Sequence, residues 1–313
     1  MRAATIVDGR IVVTEHPDPQ PAKGEVLVRV QSAGINAADL MQVAGFYPAP
    51  PDSPPDTPGL ELAGEVQAVG PGATRFEPGD WVMAVVGGGA QAELAVVHER
   101  LCLPVPASLG LILAGGFPEA FTTAHDAIFT QCGLQMGEHL LVHAAAGGVG
   151  TAAVQLGAAA GARVTATVRN AALRDAVAAL GADDVIAPED AATHGPFDVV
   201  LELIGAPNIP TDLATLATGG RISVIGVGAG AVAEVNLLEL MSKRGRIHGS
   251  TLRARPLEQK ADAARRIEAS VLPLVEAGRL TVPMAETFPL DEAEAAYERF
   301  RAGGKLGKLV LLP

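Results

Sequence analysis

The sequence predicts a two-domain α/β protein in which a doubly wound parallel sheet interrupts a β-rich domain built from both ends of the chain. Three observations predict it. The first third alternates apolar and polar residues in short runs, GEVLVRVQSAGI, ELAGEVQAVG, DWVMAVV and AELAVVH, separated by Gly, Pro and Asp turns. From about Glu119, strand-like runs too apolar to have a wet face alternate with helical ones, as in a parallel sheet covered on both sides. The tail is too small to fold alone and is expected to complete the first domain. The expected limits are 1–118 plus 265–313 for the β-rich domain and 119–264 for the inserted one. At 313 residues and 49% hydrophobic, the chain is long and apolar enough for each to bury a core.

Between the first strands lies GFYPAPPDSPPDTPGLE, whose prolines exclude regular structure; long ordered loops in compact domains are often functional. In the inserted part EHLLVHAA reads as a strand and GGVGTAAVQLGAAAG as the helix it feeds. ARVTATV is the second strand, RNAALRDAVAALGA a helix, DDVIA a short strand and FDVVLELIG a fourth, before the turn and strand of LATGGRISVIGVG. A charged helix over Leu257–Ala277 carries the chain back. A Pro-bounded extended segment, the helix LDEAEAAYERFRAGG and the terminal strand KLVLLP close it.

A formal net charge of −12 gives no attraction to a phosphate backbone, so no nucleic-acid partner is expected. The longest loosely apolar stretch, about Leu109–Phe117, holds three glycines and is far short of the ~20 residues that span a bilayer. The N-terminal MRAATIVDGRIVVTEHPDP has no cationic lead into an apolar run, and low cysteine use suits a reducing compartment. No membrane association and a cytoplasmic location are therefore expected. Cys102 and Cys132 build neither a disulfide framework nor a Cys-x-x-Cys zinc knuckle. The seven histidines, His16, His98, His125, His139, His143, His194 and His248, show no ligand-like pairing and read as structural or surface groups, so no metal is expected.

The segment AAAGGVG, Ala144–Gly150, directly follows a predicted strand and opens a predicted helix. Aligned on G-x-G-x-x-G, it puts Ala145, Gly147 and Gly150 at the small-residue positions, with Gly148 and Val149 between the last two. Gly147 lets the backbone approach a pyrophosphate, and Gly150 lets helix and strand pack closely. The helix N-terminus offers free N–H groups to the phosphates. The alternative is a tight β–α turn holding nothing; strand, loop, helix and second strand in series favour the dinucleotide. Where an NAD site would carry an acid after the second strand, this chain reads ATVRNAALR, with Arg169 at that place and Arg174 a helical turn on. Arginine pairs with a 2′-phosphate, so NADPH is the expected cofactor; the competing reading is ordinary exposed helix charge.

The stretches NAADLMQVAGFYPAPP, PGLELAGEVQAVGPGATRFEPGDWVMAV, GGGAQAELA, PEAFTTAH, GEHLLVHAAAGGVGTAAVQL, GGRISVIG, STLRARP and GKLGKLVL together carry a resemblance over nearly the whole chain. The chain resembles the quinone oxidoreductase branch of the medium-chain dehydrogenase/reductase superfamily. The resemblance implies a Rossmann domain inserted in a GroES-like catalytic domain and a homodimer joined through Rossmann sheet edges. It also implies zinc-free, NADPH-dependent reduction of quinones or related activated carbonyls. Zinc members of the superfamily carry a Cys in the first domain and a Gly-His-Glu triplet. Here Asn36 stands at the first place and the triplet reads Gly59-Leu60-Glu61; no four-cysteine lobe follows, so neither zinc is expected.

The same match implies Asn36, Asp39 and Tyr47 as substrate contacts in the family's active cleft. Tyr47 would hydrogen-bond the reduced oxygen or relay a proton, and Asn36 would orient the carbonyl or the nicotinamide ribose. Asn36 and Asp39 also read as a helix N-cap with an acidic first turn. Cofactor contacts carried over by match are Thr123, Gly205, Gly226, Val227, Leu252, Arg253 and Lys308, each of which also reads as a turn or strand-end residue. Glu61 reads as a structural hydrogen-bonding group. Pro188, in DVIAPED, stands where many members have a tyrosine near the adenosine phosphate, which leaves Arg169 as the main selector for NADPH. Two other functions stay open: an NADPH-dependent enoyl or alkenal double-bond reductase, and a non-catalytic NADPH-binding redox sensor or structural protein.

Overall fold

The computed structural model describes residues 1–313. The chain opens with strands β1 (Arg2–Val7), β2 (Arg10–Glu15), β3 (Glu25–Ile35), β4 (Glu61–Val69), β5 (Trp81–Val85), β6 (Leu94–His98) and β7 (Cys102–Pro104). Six more follow: β8 (His139–Val142), β9 (Arg163–Thr167), β10 (Asp184–Ile186), β11 (Phe197–Glu202), β12 (Leu216–Val224) and β13 (Arg246–Gly249). β14 (Met284–Pro289) and β15 (Lys308–Leu312) close it. These elements divide into two compact units. One is Met1–Thr122 with Leu252–Gly304 and Lys308–Pro313; the other is Thr123–Thr251 with Lys305–Gly307.

The limits differ from those read in the sequence. Residues 252–264, expected in the inserted domain, pack in the first unit, and Lys305–Gly307 of the tail packs in the second. The helix Leu257–Ser270 shows why: its Glu258, Arg265 and Glu268 reach Arg100, the Cys102 carbonyl and Arg75 of the first unit. The single helix expected over Leu257–Ala277 is two, Leu257–Ser270 and Leu272–Glu276. Pro273 has no N–H to continue the first and suits the opening turn of the second.

In the first unit, β1 and β2 pair antiparallel around Asp8 and Gly9, whose φ values of 49° and 75° are those a two-residue hairpin turn demands. Seven strands form the main sheet in the order β14-β15-β3-β4-β5-β7, with β6 also paired to β3. Val26, Val28 and Val30 of β3 turn inward onto Leu62, Val66, Val82 and Val97, while Arg29 between them faces water. That is the period of two seen in the sequence. β15 pairs with β3 through Leu309 and Ile35, so the tail completes this sheet.

In the second unit, β8 to β13 form one parallel sheet in the order β10-β9-β8-β11-β12-β13. Leu140, Leu141 and Val142 of β8 are wholly buried, as strands covered on both faces must be. The strand order reverses between β8 and β11, and doubly wound sheets bind ligands at the carboxyl ends beside such a switch point. The helix Gly148–Ala159 lies on β8; a Cβ on Gly150 would stand 2.5 Å from the Ala144 carbonyl oxygen, so only glycine lets it start this close. No helix is long and apolar enough to cross a membrane.

Candidate functional site

The glycine-rich turn occupies the carboxyl end of β8. Ala144, at φ 49°, redirects the chain, and the Ala145 N–H donates to the Thr167 carbonyl (3.1 Å) at the end of β9. Gly147 then caps the helix Gly148–Ala159. Its position is open: a Cβ there would meet only the Ala144 oxygen at 3.4 Å, so a ligand can reach the backbone. Gly148, Val149 and Gly150 form the first turn, whose N–H groups have no intrahelical partner and point toward the positive end of the helix dipole. The tail braces the turn, the Gly307 N–H donating to the Ala146 carbonyl at 2.8 Å. This cradle fits a pyrophosphate.

Arg169 is exposed just beyond β9, and Arg174 folds back so that its Nε donates to the Val168 carbonyl at 3.2 Å. No acid lies between Thr167 and Arg174. Gly205, Gly226 and Val227 come together at the ends of β11 and β12. A Cβ on Gly205 would lie 2.9 Å from the Val227 Cα, and one on Gly226 2.3 Å from the Leu203 carbonyl oxygen. Thr123 is buried in the helix Pro118–His125.

The first unit brings Asn36, Asp39 and Lys308 together around Glu61. β3 ends at Ile35, and Asn36 caps the helix Ala37–Val43. Asp39, in the first turn, accepts from the Asn36 N–H at 2.8 Å and from the Gly59 N–H at 3.0 Å. The Glu61 carboxylate accepts from Asn36 Nδ2 (3.0 Å), Lys308 Nζ (2.6 Å) and the Glu119 N–H (2.8 Å) in the first turn of Pro118–His125, where the helix dipole favours an anion. Gly34 makes the room: a Cβ there would stand 2.1 Å from Glu61 Oε1. Lys308 also donates to Asn36 Oδ1 at 2.5 Å and to the Ile35 carbonyl at 3.2 Å. The buried ammonium thus pairs with the Glu61 carboxylate and, through space, favours the ionised form of Asp39. Burial pushes the Asp39 pKa up to about 6; its two N–H bonds and Lys308 hold it down, and Glu61 adds to the rise.

Tyr47 is half-buried where the proline-rich loop begins. Its carbonyl accepts from Arg253 Nη1 (2.8 Å), while Nε and Nη2 donate to the Gly87 carbonyl (2.7 Å) and Gln42 Oε1 (2.6 Å). The guanidinium carbon lies 5.0 Å from the Tyr47 ring centroid, a cation–π contact. Three of the expected cofactor contacts have partners within the first unit. Arg253 clamps the loop, Lys308 is the buried counter-ion of Glu61, and Leu252 lines a small apolar hollow with Val85, Leu103 and Ala263. Gln42 escaped the sequence reading because its partner Arg253 is 211 residues away.

Zinc does not suit the place its family ligands would hold. Asn36 and Leu60 offer an amide and a hydrocarbon, and Glu61 is already paired with an ammonium; the sulfur and imidazole donors of such sites are missing. The two cysteines are buried elsewhere, and burial pushes the Cys102 thiol up to about 12 and the Cys132 thiol up to about 11, away from the thiolate a metal needs. One histidine departs from the sequence reading. His143 meets Glu202 and Asp212 in the second unit, their ligand-type atoms all within 4.8 Å of one another. Asp212 lies 69 residues from His143, so no local spacing announces the group.

The chain matches the family models described as an alcohol dehydrogenase GroES-like domain, over residues 22–129, and a zinc-binding dehydrogenase, over residues 148–269. It is similar to the quinone oxidoreductase of Rattus norvegicus, 31% identical across 94% of this chain and 91% of the relative. It is also 36% identical, over 93% of its length, to a segment of erythronolide synthase EryA2 from Saccharopolyspora erythraea, of which it spans 8%. Among solved structures, mycobacterial Rv1454c complexed with NADPH superposes with a TM-score of 0.90 at 27% identity, both chains covered in full.

Proposed function

The chain belongs to the medium-chain dehydrogenase/reductase superfamily, as a quinone oxidoreductase-like protein, and from that premise we propose that it reduces quinones or related activated carbonyls with NADPH and without zinc. The observation that carries this reading is the Asn36–Glu61–Lys308 centre, whose donors suit an ammonium and not a Lewis-acid metal. A quinone is already electrophilic, so positioning supplies most of its activation. Bound NADPH supplies the hydride. The residues to hold it are Ala145, Gly147, Gly148, Val149 and Gly150 at the pyrophosphate, with Thr123, Gly205, Gly226 and Val227 as further contacts. Arg169 pairs with the 2′-phosphate, and Arg174 stiffens the strand end beside it.

Asn36 carries the substrate-orienting role. Lys308 fixes its amide oxygen and Glu61 takes one of its N–H groups, so the remaining N–H has a set direction in which to meet an acceptor oxygen. Tyr47 then donates the proton, its carbonyl and ring both held by Arg253. Asp39 acts one step back, fixing the backbone of Asn36 and of Gly59. A second reading is reduction of an enoyl or alkenal double bond, which needs the same cofactor and one proton donor, again Tyr47.

The proposed working form is a cytoplasmic homodimer. β13 is an outer strand of the parallel sheet, with one edge unpaired. On the preceding helix, Leu237–Lys243, the side chains of Leu237, Leu238 and Met241 stand 67%, 75% and 72% exposed, an apolar face that a second copy would cover.

The deciding experiment follows NADPH consumption by the metal-free protein offered an ortho-quinone and a 2-alkenal in parallel. Faster turnover of the quinone supports the first reading, and faster turnover of the alkenal transfers the chain to the second. Tight NADPH binding with neither acceptor reduced leaves a non-catalytic binding protein. Activity that appears only on adding zinc refutes the metal-free mechanism.

A further inference from the structure

The second unit buries a cluster that the proposed reaction does not use. His143 follows β8 at the foot of the glycine-rich turn, Glu202 is the last residue of β11, and Asp212 lies in the helix Ile209–Thr215. Their exposures are 2%, 0% and 0%. His143 Nε2 stands 2.7 Å from Asp212 Oδ1 and 3.8 Å from Glu202 Oε2, and Nδ1 lies 3.1 Å from Thr167 Oγ1. The ring is the sole hydrogen-bond partner of the Asp212 carboxylate, whose Oδ2 has none.

Each neighbour of the ring holds a different part of the dinucleotide site. The Thr167 carbonyl accepts from the Ala145 N–H (3.1 Å) in the glycine-rich turn, and Arg169 follows two residues later. The Glu202 carboxylate accepts from the Ile204 N–H, the Gly205 N–H (2.6 Å) and Asn208 Nδ2 (3.0 Å). Its carbonyl accepts from the N–H groups of Ile225 (2.9 Å) and Gly226 (3.2 Å). One imidazole therefore bears on the turns around Gly147, Arg169, Gly205 and Gly226.

We propose that His143 is a positioning residue for the dinucleotide site, and that its imidazolium form, clamped by Asp212 and Glu202, keeps these four segments in their binding arrangement. The inference rests on reading the second unit as the NADPH site. Two carboxylates buried this close together repel and need a cation, and the imidazolium is the one the cluster contains; both of its N–H groups have acceptors, Asp212 Oδ1 and Thr167 Oγ1. Burial by itself lowers the His143 pKa, but the hydrogen bond to Asp212 and the charges of Asp212 and Glu202 outweigh it and raise it. Burial also raises the Glu202 pKa, with Asp212 adding and His143 opposing. The charged groups facing the ring are these two, from the helix and from β11, while β9 contributes the neutral Thr167. Because the His143 pKa is raised, the clamp is lost as pH rises through the folded value and is retained on acidification. A divalent ion on the same three residues would exclude this, because a metal-bound Nε2 carries no proton.

The test is fluorescence titration of the metal-free full chain with NADPH between pH 7 and 9.5, above the range near 6 where a phosphate monoester itself titrates. For the wild type, the Kd is expected to rise about tenfold across this range. His143→Gln binds more weakly at pH 7 and shows no such rise, and Asp212→Asn moves the midpoint toward acid. A wild-type Kd that stays level, or the same rise persisting in His143→Gln, overturns the proposal while leaving the NADPH reading in place. Failure to bind NADPH at any pH removes both. Should His143→Gln fail to fold, the Asp212→Asn midpoint and the side-chain nitrogen shifts of wild-type His143 decide. A ring pKa above the ordinary imidazole value is expected; one at or below it, or one zinc retained per chain after dialysis against zinc, overturns it.

Discussion

Replacing Lys308 by methionine removes the ammonium that Glu61 and Asn36 share while keeping most of the side chain's length. In the native protein Nζ sits 2.6 Å from Glu61 Oε1 and 2.5 Å from Asn36 Oδ1, and the two ion-pair side chains are 4% and 0% exposed. Glu61 would keep its bonds from Asn36 Nδ2 and the Glu119 N–H but lose its counter-charge. Breaking a buried pair from one side costs about 3–5 kcal/mol, read as a shift in the urea unfolding curve. Adding Glu61→Gln removes the stranded charge, so the double variant should recover about 2 kcal/mol or more relative to the sum of the single changes. Turnover should also fall in Lys308→Met, since Asn36 loses the bond that fixes its amide oxygen, while the NADPH Kd stays within about twofold. A single-variant cost below about 1 kcal/mol, in the range of an exposed pair, refutes the argument, as does simple additivity of the two changes. Lost NADPH binding with unchanged stability would return Lys308 to the cofactor.

Four further outcomes are expected. The folded pKa of Asp39, about 6, lies above its ordinary 3.8, so the folded protein gains stability from this group as pH falls toward 4 and loses it as pH rises through 6. The unfolding free energy of the wild type relative to Asp39→Asn should accordingly drop by about 1 kcal/mol between pH 5 and 7, and a difference that ignores pH rejects the buried-carboxylate account. Arg169→Ala should weaken NADPH binding by about tenfold or more and leave NADH binding alone; equal loss for both would show that no 2′-phosphate contact exists. With thiols at about 12 and about 11, Cys102 and Cys132 should resist Ellman's reagent at pH 8 in the native protein and react fully in guanidinium, so fast native labelling would contradict their burial. Leu238→Glu should convert a dimer to a monomer by light scattering without loss of helical signal, and a mass unchanged by the substitution would move the interface elsewhere.

What the sequence determined by itself is what depends on neighbours along the chain. The alternating valines of β3, the series of strand, glycine-rich turn and helix at Ala144–Gly150, and Asn36 with Asp39 as the opening of a helix were all legible, because each is a local pattern of burial or backbone geometry. Leu60 in place of a histidine is legible for the same reason, since leucine offers no atom to a metal. The roles of charged residues belonged to the tertiary structure. Nothing local to Lys308 or Arg253 announces that one meets Glu61 and the other Tyr47. The break of the helix at Pro273 is local as well, although helical period runs on both sides of it. His143 looked ordinary because Asp212 and Glu202 reach it only when β8 and β11 become neighbours across the switch point of the sheet. A charge selects its partner when burial strips away its water, and which groups are buried together is decided by how the sheets close, so that information exists only in the folded chain.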